Sequence, residues 1–331
     1  MLELRHEIRL LAERAPNARV TVVRSGALGD TILLLPTVEL LRAAVPSARI
    51  TVVGSQWAER VAPLLKRPWT VLRFDSLDLL PLFAREDCAD PSGAFRDAHL
   101  VVVYTPDLDD VFVRNVRRLC GATVIPHPVE PPPGVHAACH CAAALTKGLP
   151  KTNELPLPDL AVSPHARREA KRWVAGRLRE TGGLPVVLHV GSGGEWKCWP
   201  AEHFAGLARW LTAQGAQVIL IQGPADERAS HATCERLPPN IPAAVGRFEN
   251  LENAAALITR AALYVGNDSG ITHLAAALGA PTVAVFGPTD PMVWRPLGRS
   301  VRVVRGAPSK ENPSAWPTLR EVCEAASTLL K

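Results

Sequence analysis

No stretch of eighteen consecutive apolar residues occurs in the 331-residue chain, so a membrane-spanning helix is not expected. No Cys-x-x-Cys pair occurs either. The seven cysteines, an odd number, lie scattered at 88, 120, 139, 141, 198, 234 and 323. They read as reduced thiols in a reducing compartment rather than a disulfide frame. No block of five like charges is present, and the formal charge of +5 is mild for this length. That balance favours anionic ligands or surfaces without arguing for nucleic acid. The first Gly-containing turn is not G-x-G-x-x-G, and no P-loop lysine follows it.

The opening segment "MLELRHEIRLLAERAPNA" lacks the unbroken apolar core of a signal peptide. Leu4, Ile8 and Leu11 recur at helical spacing. They predict a helix packed on the first domain, with a membrane-surface foot as the other reading. The stretch "HAACHC" (136–141) invites a metal reading but has no second ligand cluster, and its alanines suit the start of a helix.

What the sequence does contain is strand followed by helix, repeated. "ARVTVVRS", "ARITVVG", "AHLVVVY" and "ATVIP" read as strands, and "TILLLPTVELLRAAV" as a helix. After the prolines at 150, 156, 158 and 164 the pattern restarts with "LPVVLHVG", "QVILIQG", "ALYVGND" and "PTVAVFG" as strands. Helices fall between them, and "TLREVCEAASTLLK" reads as one amphipathic helix at the end. Two doubly wound α/β domains follow from this pattern, with ligands expected at the carboxyl ends of the strands.

Four short loops at strand ends could carry chemistry. "RSGALGD" offers Ser25, Gly26 and Gly29 for a tight turn and Asp30 as either a helix cap or a reacting carboxylate. "HVGSGGEWKCWP" offers Gly191 and Ser192, and places Lys197 between two tryptophans as a point charge for phosphate or a solvated side chain. "IQGPADERAS" offers Gly223, with Asp226 and Glu227 as hydroxyl acceptors or helix starters. "YVGNDSGITH" leads from Asn267, Asp268, Ser269 and Gly270 into a helix whose N-terminus suits an anion, with His273 one turn on. Asp268 can cap, position His273 or accept a sugar hydroxyl. With no carboxylate pair or His-rich cluster, an electrostatic cradle is expected rather than a metal site or cofactor.

Three of these stretches in order, "VRSGALGDTILLLPTVELLRAAVPSARITVVG", "KCWPAEHFAGLARWL" and "VGNDSGITHLAAALGAPTVAVFGPTDP", resemble the heptosyltransferases of glycosyltransferase family nine. The likeness runs from about residue 19 to residue 298. It implies a GT-B fold of two Rossmann-like domains facing a central cleft. Residues 1–160 would form the acceptor-binding domain, with an extension over about 1–18. Residues 161–316 would bind the nucleotide sugar, and 317–331 would form a helix crossing back to the first domain.

The resemblance also implies an inverting, metal-independent transfer of heptose from ADP-heptose to a glycan or lipid-linked acceptor. The place would be lipopolysaccharide core assembly in the cytoplasm, with transient contact at the inner-membrane surface. Asp30 would be the catalytic base. Lys197, Ser269, Gly270 and His273 would hold the donor phosphates. Asn267, Asp268, Gly191, Ser192 and Gly223 would lie near the donor sugar and nucleotide, and Ser25, Gly26 and Gly29 in the acceptor loop. A carboxylate can serve as base because the hydroxyl becomes acidic only as it attacks.

"VVVYTPDLDDVFVRNVRRLCG" and "RFENLENAAALI" depart from the family's usual patterns. The first lies on the acceptor side and the second near the nucleoside, so another acceptor or another nucleotide sugar stays open. A nucleotide-sugar-binding protein without turnover is the alternative of a different class.

Overall fold

The computed structural model describes the chain except residues 1, 85–88, 91, 179–182, 240, 242, 249, 307–314 and 331. Cys88, and Glu249 of the nucleoside-side motif, lie outside the described residues. The chain divides into two compact units, Met1–Pro158 and Asp159–Lys331.

The first unit begins with α1 (His6–Arg14), β1 (Arg19–Arg24), α2 (Leu28–Ala44), β2 (Arg49–Gly54), α3 (Gln56–Val61) and β3 (Thr70–Arg73). It continues with α4 (Leu80–Ala84), β4 (Leu100–Thr105), α5 (Val111–Leu119), β5 (Thr123–Pro128) and α6 (Ala137–Ala143). Its five strands are parallel in the order β3-β2-β1-β4-β5. All residues of β4 are buried, and all of β1 but its first. Helices covering both faces of a parallel sheet produce that continuous burial. α1 packs on this unit: Ile8 and Leu11 are buried, and Leu4 bridges to Thr146.

The second unit begins with α7 (Pro164–Ala175), β6 (Pro185–His189), α8 (Ala201–Ala213), β7 (Gln217–Gln222), α9 (Glu227–Cys234) and β8 (Ala243–Arg247). It continues with α10 (Leu251–Ile258), β9 (Leu263–Asn267), α11 (Gly270–Ala277), β10 (Thr282–Phe286), α12 (Pro291–Trp294), β11 (Val301–Arg305) and α13 (Leu319–Leu329). Six parallel strands run in the order β11-β10-β9-β6-β7-β8.

The apolar face of α13, Val322 and Ala326, lies in the second unit's core with Leu207, Leu211, Val283 and Val285. Leu319 at its start reaches Gly206 of α8, where a Cβ would come within 2.6 Å. Small residues on α8 let the two helices approach.

Three edge strands were not expected: β3, β8 and β11. Each is short and at most one residue of each is buried, so none carries the continuous apolar run of an inner strand. α2 also starts earlier than its apolar pattern suggests. Leu28 and Gly29 already belong to its first turn, which moves Asp30 from a capping position to the third helical residue.

Candidate active site

In each sheet the strand order reverses once, between β1 and β4 in the first unit and between β6 and β9 in the second. Loops leaving two such strands diverge to opposite faces and open a crevice beyond their carboxyl ends. The candidate residues gather at these two places.

In the first unit, Ser25 is exposed at the end of β1, and Gly26 and Ala27 carry the chain into α2. Asp30 Oδ2 accepts the Ala27 N–H at 3.0 Å, so the carboxylate does cap the helix, from inside its first turn. Asp30 Oδ1 accepts from Arg24 Nη2 at 3.1 Å. The Asp30 side chain keeps 28% of its exposure while that of Arg24 keeps 3%. Arg24 also donates to the Val129 carbonyl and lies over the Tyr104 ring, 5.3 Å from its centroid. Burial disfavours this guanidinium's charge, but nearby groups, among them Asp30, outweigh that and raise its pKa.

A buried cation is tolerable here because Asp30 answers it. The carboxylate still has lone pairs to spare, since two oxygens can accept about four hydrogen bonds. Gly26 is required by Asp30 itself: a Cβ on Gly26 would lie 2.7 Å from the Asp30 Cβ. The Ser55 hydroxyl fixes the turn by donating to the Gly26 carbonyl at 2.6 Å.

"HAACHC" lies behind this cluster. His136 caps α6 by accepting the Ala138 N–H, and His140 Nε2 bonds the Pro128 carbonyl at 2.7 Å. His127 Nε2 bonds the His140 carbonyl at 2.9 Å. Burial, then the neighbouring charges of His140, Arg5 and Arg24, push His127 down to about 4. Burial pushes the Cys141 thiol up to about 11. Among the described residues, no group of three His, Cys, Asp or Glu side chains is placed to hold a metal.

In the second unit, Asp268 is the hub. It is 8% exposed. Its Oδ2 accepts from Thr289 Oγ1 at 2.7 Å and lies 3.4 Å from Lys197 Nζ; His273 Nε2 stands 4.0 Å from its Oδ1. Lys197 extends across the Trp196 ring, 5.1 Å from its centroid, with its side chain 30% exposed. The lysine is therefore within reach of solvent and paired with a single carboxylate. An incoming anion competes with Asp268 for it.

Asn267, expected beside the ligand, is wholly buried and has an internal task. Its amide donates to the Val190 and Gly191 carbonyls and accepts the Trp199 N–H at 2.9 Å. The Ser192 hydroxyl is spent on the Asp268 carbonyl at 2.7 Å. These bonds tie the β6–α8 loop to the start of α11. Gly191 is needed for the same closeness, since a Cβ there would overlap the Asp226 carboxylate.

Ser269 caps α11 by accepting the Thr272 N–H, and Gly270 opens the helix. Behind them Ser269 Oγ lies 3.3 Å from His189 Nδ1, and His189 Nε2 lies 3.0 Å from Asp226 Oδ2, which also accepts the Gly223 N–H at 2.8 Å. Hydrogen bonds thus join the loops that follow β6, β7 and β9. Sequence reasoning missed Arg24, His189 and Thr289. The first two close buried strands and read as strand residues, and nothing in local spacing reports their partners.

The family model of glycosyltransferase family 9 (heptosyltransferase) matches residues 141–321. Lipooligosaccharide heptosyltransferase 2 of Haemophilus influenzae is 30% identical over 164 residues, 47% of each chain. Lipopolysaccharide heptosyltransferase 1 of Escherichia coli O18:K1:H7 is 27% identical over 325 residues, covering 88% of this chain and 93% of the relative. The alignments to the first relatives span about half their length. The solved E. coli ADP-heptose lps heptosyltransferase II superposes with a TM-score of 0.73 at 21% identity, over 94% of this chain and 98% of that one. That likeness assigns the two parallel sheets to the GT-B fold. With more than half of its length matched by the family model, the chain belongs to glycosyltransferase family 9, the heptosyltransferases.

Proposed function

We propose that this chain moves a heptose from ADP-heptose to a hydroxyl of a lipopolysaccharide core acceptor, with inversion at the anomeric carbon. The observation that carries the reading is the cluster at the β6–β9 switch point. There a partly exposed lysine stands beside Asp268, next to a serine-capped helix N-terminus. That pairing suits a diphosphate: a helix terminus supplies oriented N–H groups and Lys197 supplies charge. A solved relative carries ADP-heptose in its name.

In this reading the diphosphate sits at Ser269 and Gly270, and Lys197 turns from Asp268 to the phosphates. His273, 4.0 Å from Asp268, helps keep that carboxylate from repelling them. Asp30 accepts the proton of the acceptor hydroxyl, and the oxygen attacks the anomeric carbon opposite the departing ADP. Arg24 holds Asp30 and keeps one face of the carboxylate toward the acceptor. Negative charge growing on the diphosphate is met by Lys197 and α11.

A lipid-linked acceptor places the reaction at the cytoplasmic face of the inner membrane. Contact there is peripheral in this reading, because no described helix is long and apolar enough to cross a membrane. Of the basic side chains available for such contact, Arg73 is already paired with Asp75 and Glu59, and Arg117 with Asp109.

A thermal-shift screen with ADP-, GDP-, UDP- and dTDP-sugars tests the donor class. Stabilisation by the ADP compounds alone is expected, about 2.7 kcal/mol at a hundredfold excess over Kd. Lys197→Ala should weaken ADP binding by ~10- to 100-fold, the range of one charge-assisted hydrogen bond. Equal response to all four nucleotides, or unchanged ADP affinity in the variant, contradicts the assignment.

A further inference from the structure

Asp226, His189 and Ser269 make a chain of hydrogen bonds beneath the N-terminus of α11, and their residues are only 7%, 3% and 9% exposed. The mechanism above uses none of its proton-carrying capacity. Burial favours a neutral Asp226, but the hydrogen bonds it receives, from His189 first and then from the Gly223 N–H, outweigh that and leave this carboxyl below its usual range. An ionised carboxylate can only accept hydrogen bonds, so His189 Nε2 carries the proton between them. Two states remain for Nδ1. Bare, it takes the single hydroxyl proton of Ser269. Protonated, it donates to Ser269 Oγ and frees that hydroxyl to donate elsewhere.

The surroundings limit the alternatives. Thr272 Oγ1, 3.1 Å from Ser269 Oγ, gives its own proton to the Asn267 carbonyl at 2.5 Å. Tyr264, whose hydroxyl lies 3.1 Å from Thr272 Oγ1, is kept protonated by burial. The Cys198 thiol is raised by burial and then by Asp226 and Glu195, so it stays neutral too. On α11, His273 faces Asp268 rather than this chain. A bare Nδ1 therefore leaves Ser269 turning lone pairs toward any anion at the helix terminus, which repels it.

We infer that diphosphate binding at the α11 N-terminus is coupled to uptake of one solvent proton by His189, which converts Ser269 into a donor to phosphate. The inference rests on the diphosphate reading of that terminus. His189 acts through Ser269 and is a positioning residue. Its imidazolium would stand beside ionised Asp226, so the net charge added behind the helix terminus is one positive unit. The same charge would favour the diphosphate as it departs.

The test is calorimetric titration of the full chain with ADP, from about pH 7.5 to about pH 9, where an ordinary histidine is already neutral. Runs in paired buffers of different ionisation heat count the protons. Wild-type affinity should fall ~tenfold per pH unit with about one proton taken up, as linkage requires. His189→Gln, whose amide can still donate to Asp226, should bind ADP more weakly and with a flat profile. Ser269→Ala should also be flat, and serves if the first variant does not fold. A flat wild-type profile with ADP still bound overturns the inference alone, as does a slope retained in both variants. Absence of ADP binding at every pH overturns the diphosphate reading and the inference with it.

Discussion

At the scale of single residues, the pairing of Arg24 with Asp30 fixes how the carboxylate is held in the first unit. The aspartate alone reads as a helix cap, and one oxygen does cap α2. Its second oxygen is held by a guanidinium whose side chain is only 3% exposed. A lysine could supply the charge but not the planar fork that also reaches the Val129 carbonyl. Arg24→Gln should therefore lower kcat by ~100-fold, the scale on which misplacing a reacting group acts. ADP affinity should stay within about twofold of wild type, since donor-side contacts are untouched. Steady-state kinetics with a separate ADP titration checks both. A loss of ADP affinity equal to the loss of kcat would contradict the assignment.

At the scale of elements, inner strands were legible and edge strands were not. β1, β4, β9 and β10 carry long apolar runs and are buried almost from end to end because helices cover both faces. β3 and β11 have no fully buried residue, so their sequences lack the signal. The glycines and Asp30 were legible as a turn and a carboxylate at a helix start. Whether Gly191 served a ligand or a neighbour was not, because Asp226 meets it from 35 residues further along. The "KCWP" motif was legible in Lys197, but its tryptophan has a second task. Trp199 is 1% exposed, donates from Nε1 to the Pro317 carbonyl, and donates its backbone N–H to Asn267 Oδ1. It ties the β6–α8 loop to β9 and to the segment before α13. Trp199→Ala should cost about 3–5 kcal/mol of stability, as for other buried aromatic truncations. Chemical denaturation measures it, and a loss under about 1 kcal/mol would mean that the loop is held elsewhere.

At the scale of the whole molecule, buried histidines make stability depend on pH. His127 is held down to about 4 in the fold, with His140 also lowered, in both cases chiefly by burial. An unfolded chain binds protons at these histidines near pH 6.5, whereas the folded chain does not until lower pH. Stability from these groups is therefore complete above about pH 6.5 and is lost as pH falls from there toward about 4. The urea midpoint of unfolding should drop across that window, and by less in His127→Gln. A midpoint constant down to the lower limit would contradict the neutral state of the buried pair. The two-unit organisation itself was legible from the repeated pattern and the proline-rich break. The amphipathic pattern of the final helix states that one face is covered, but not that Leu207, Leu211, Val283 and Val285 cover it.

The central claim is that Asp30 performs base catalysis for sugar transfer, with the donor held by separate groups. Asp30→Asn tests it most directly, because the amide keeps the shape while losing the proton acceptor. The purified variant and wild type are compared for transfer from ADP-heptose to a heptose-lacking lipopolysaccharide acceptor, alongside ADP affinity. The account predicts loss of kcat by ~100- to 10,000-fold, the range for a general base, with ADP affinity preserved. Transfer at the wild-type rate by Asp30→Asn would contradict it.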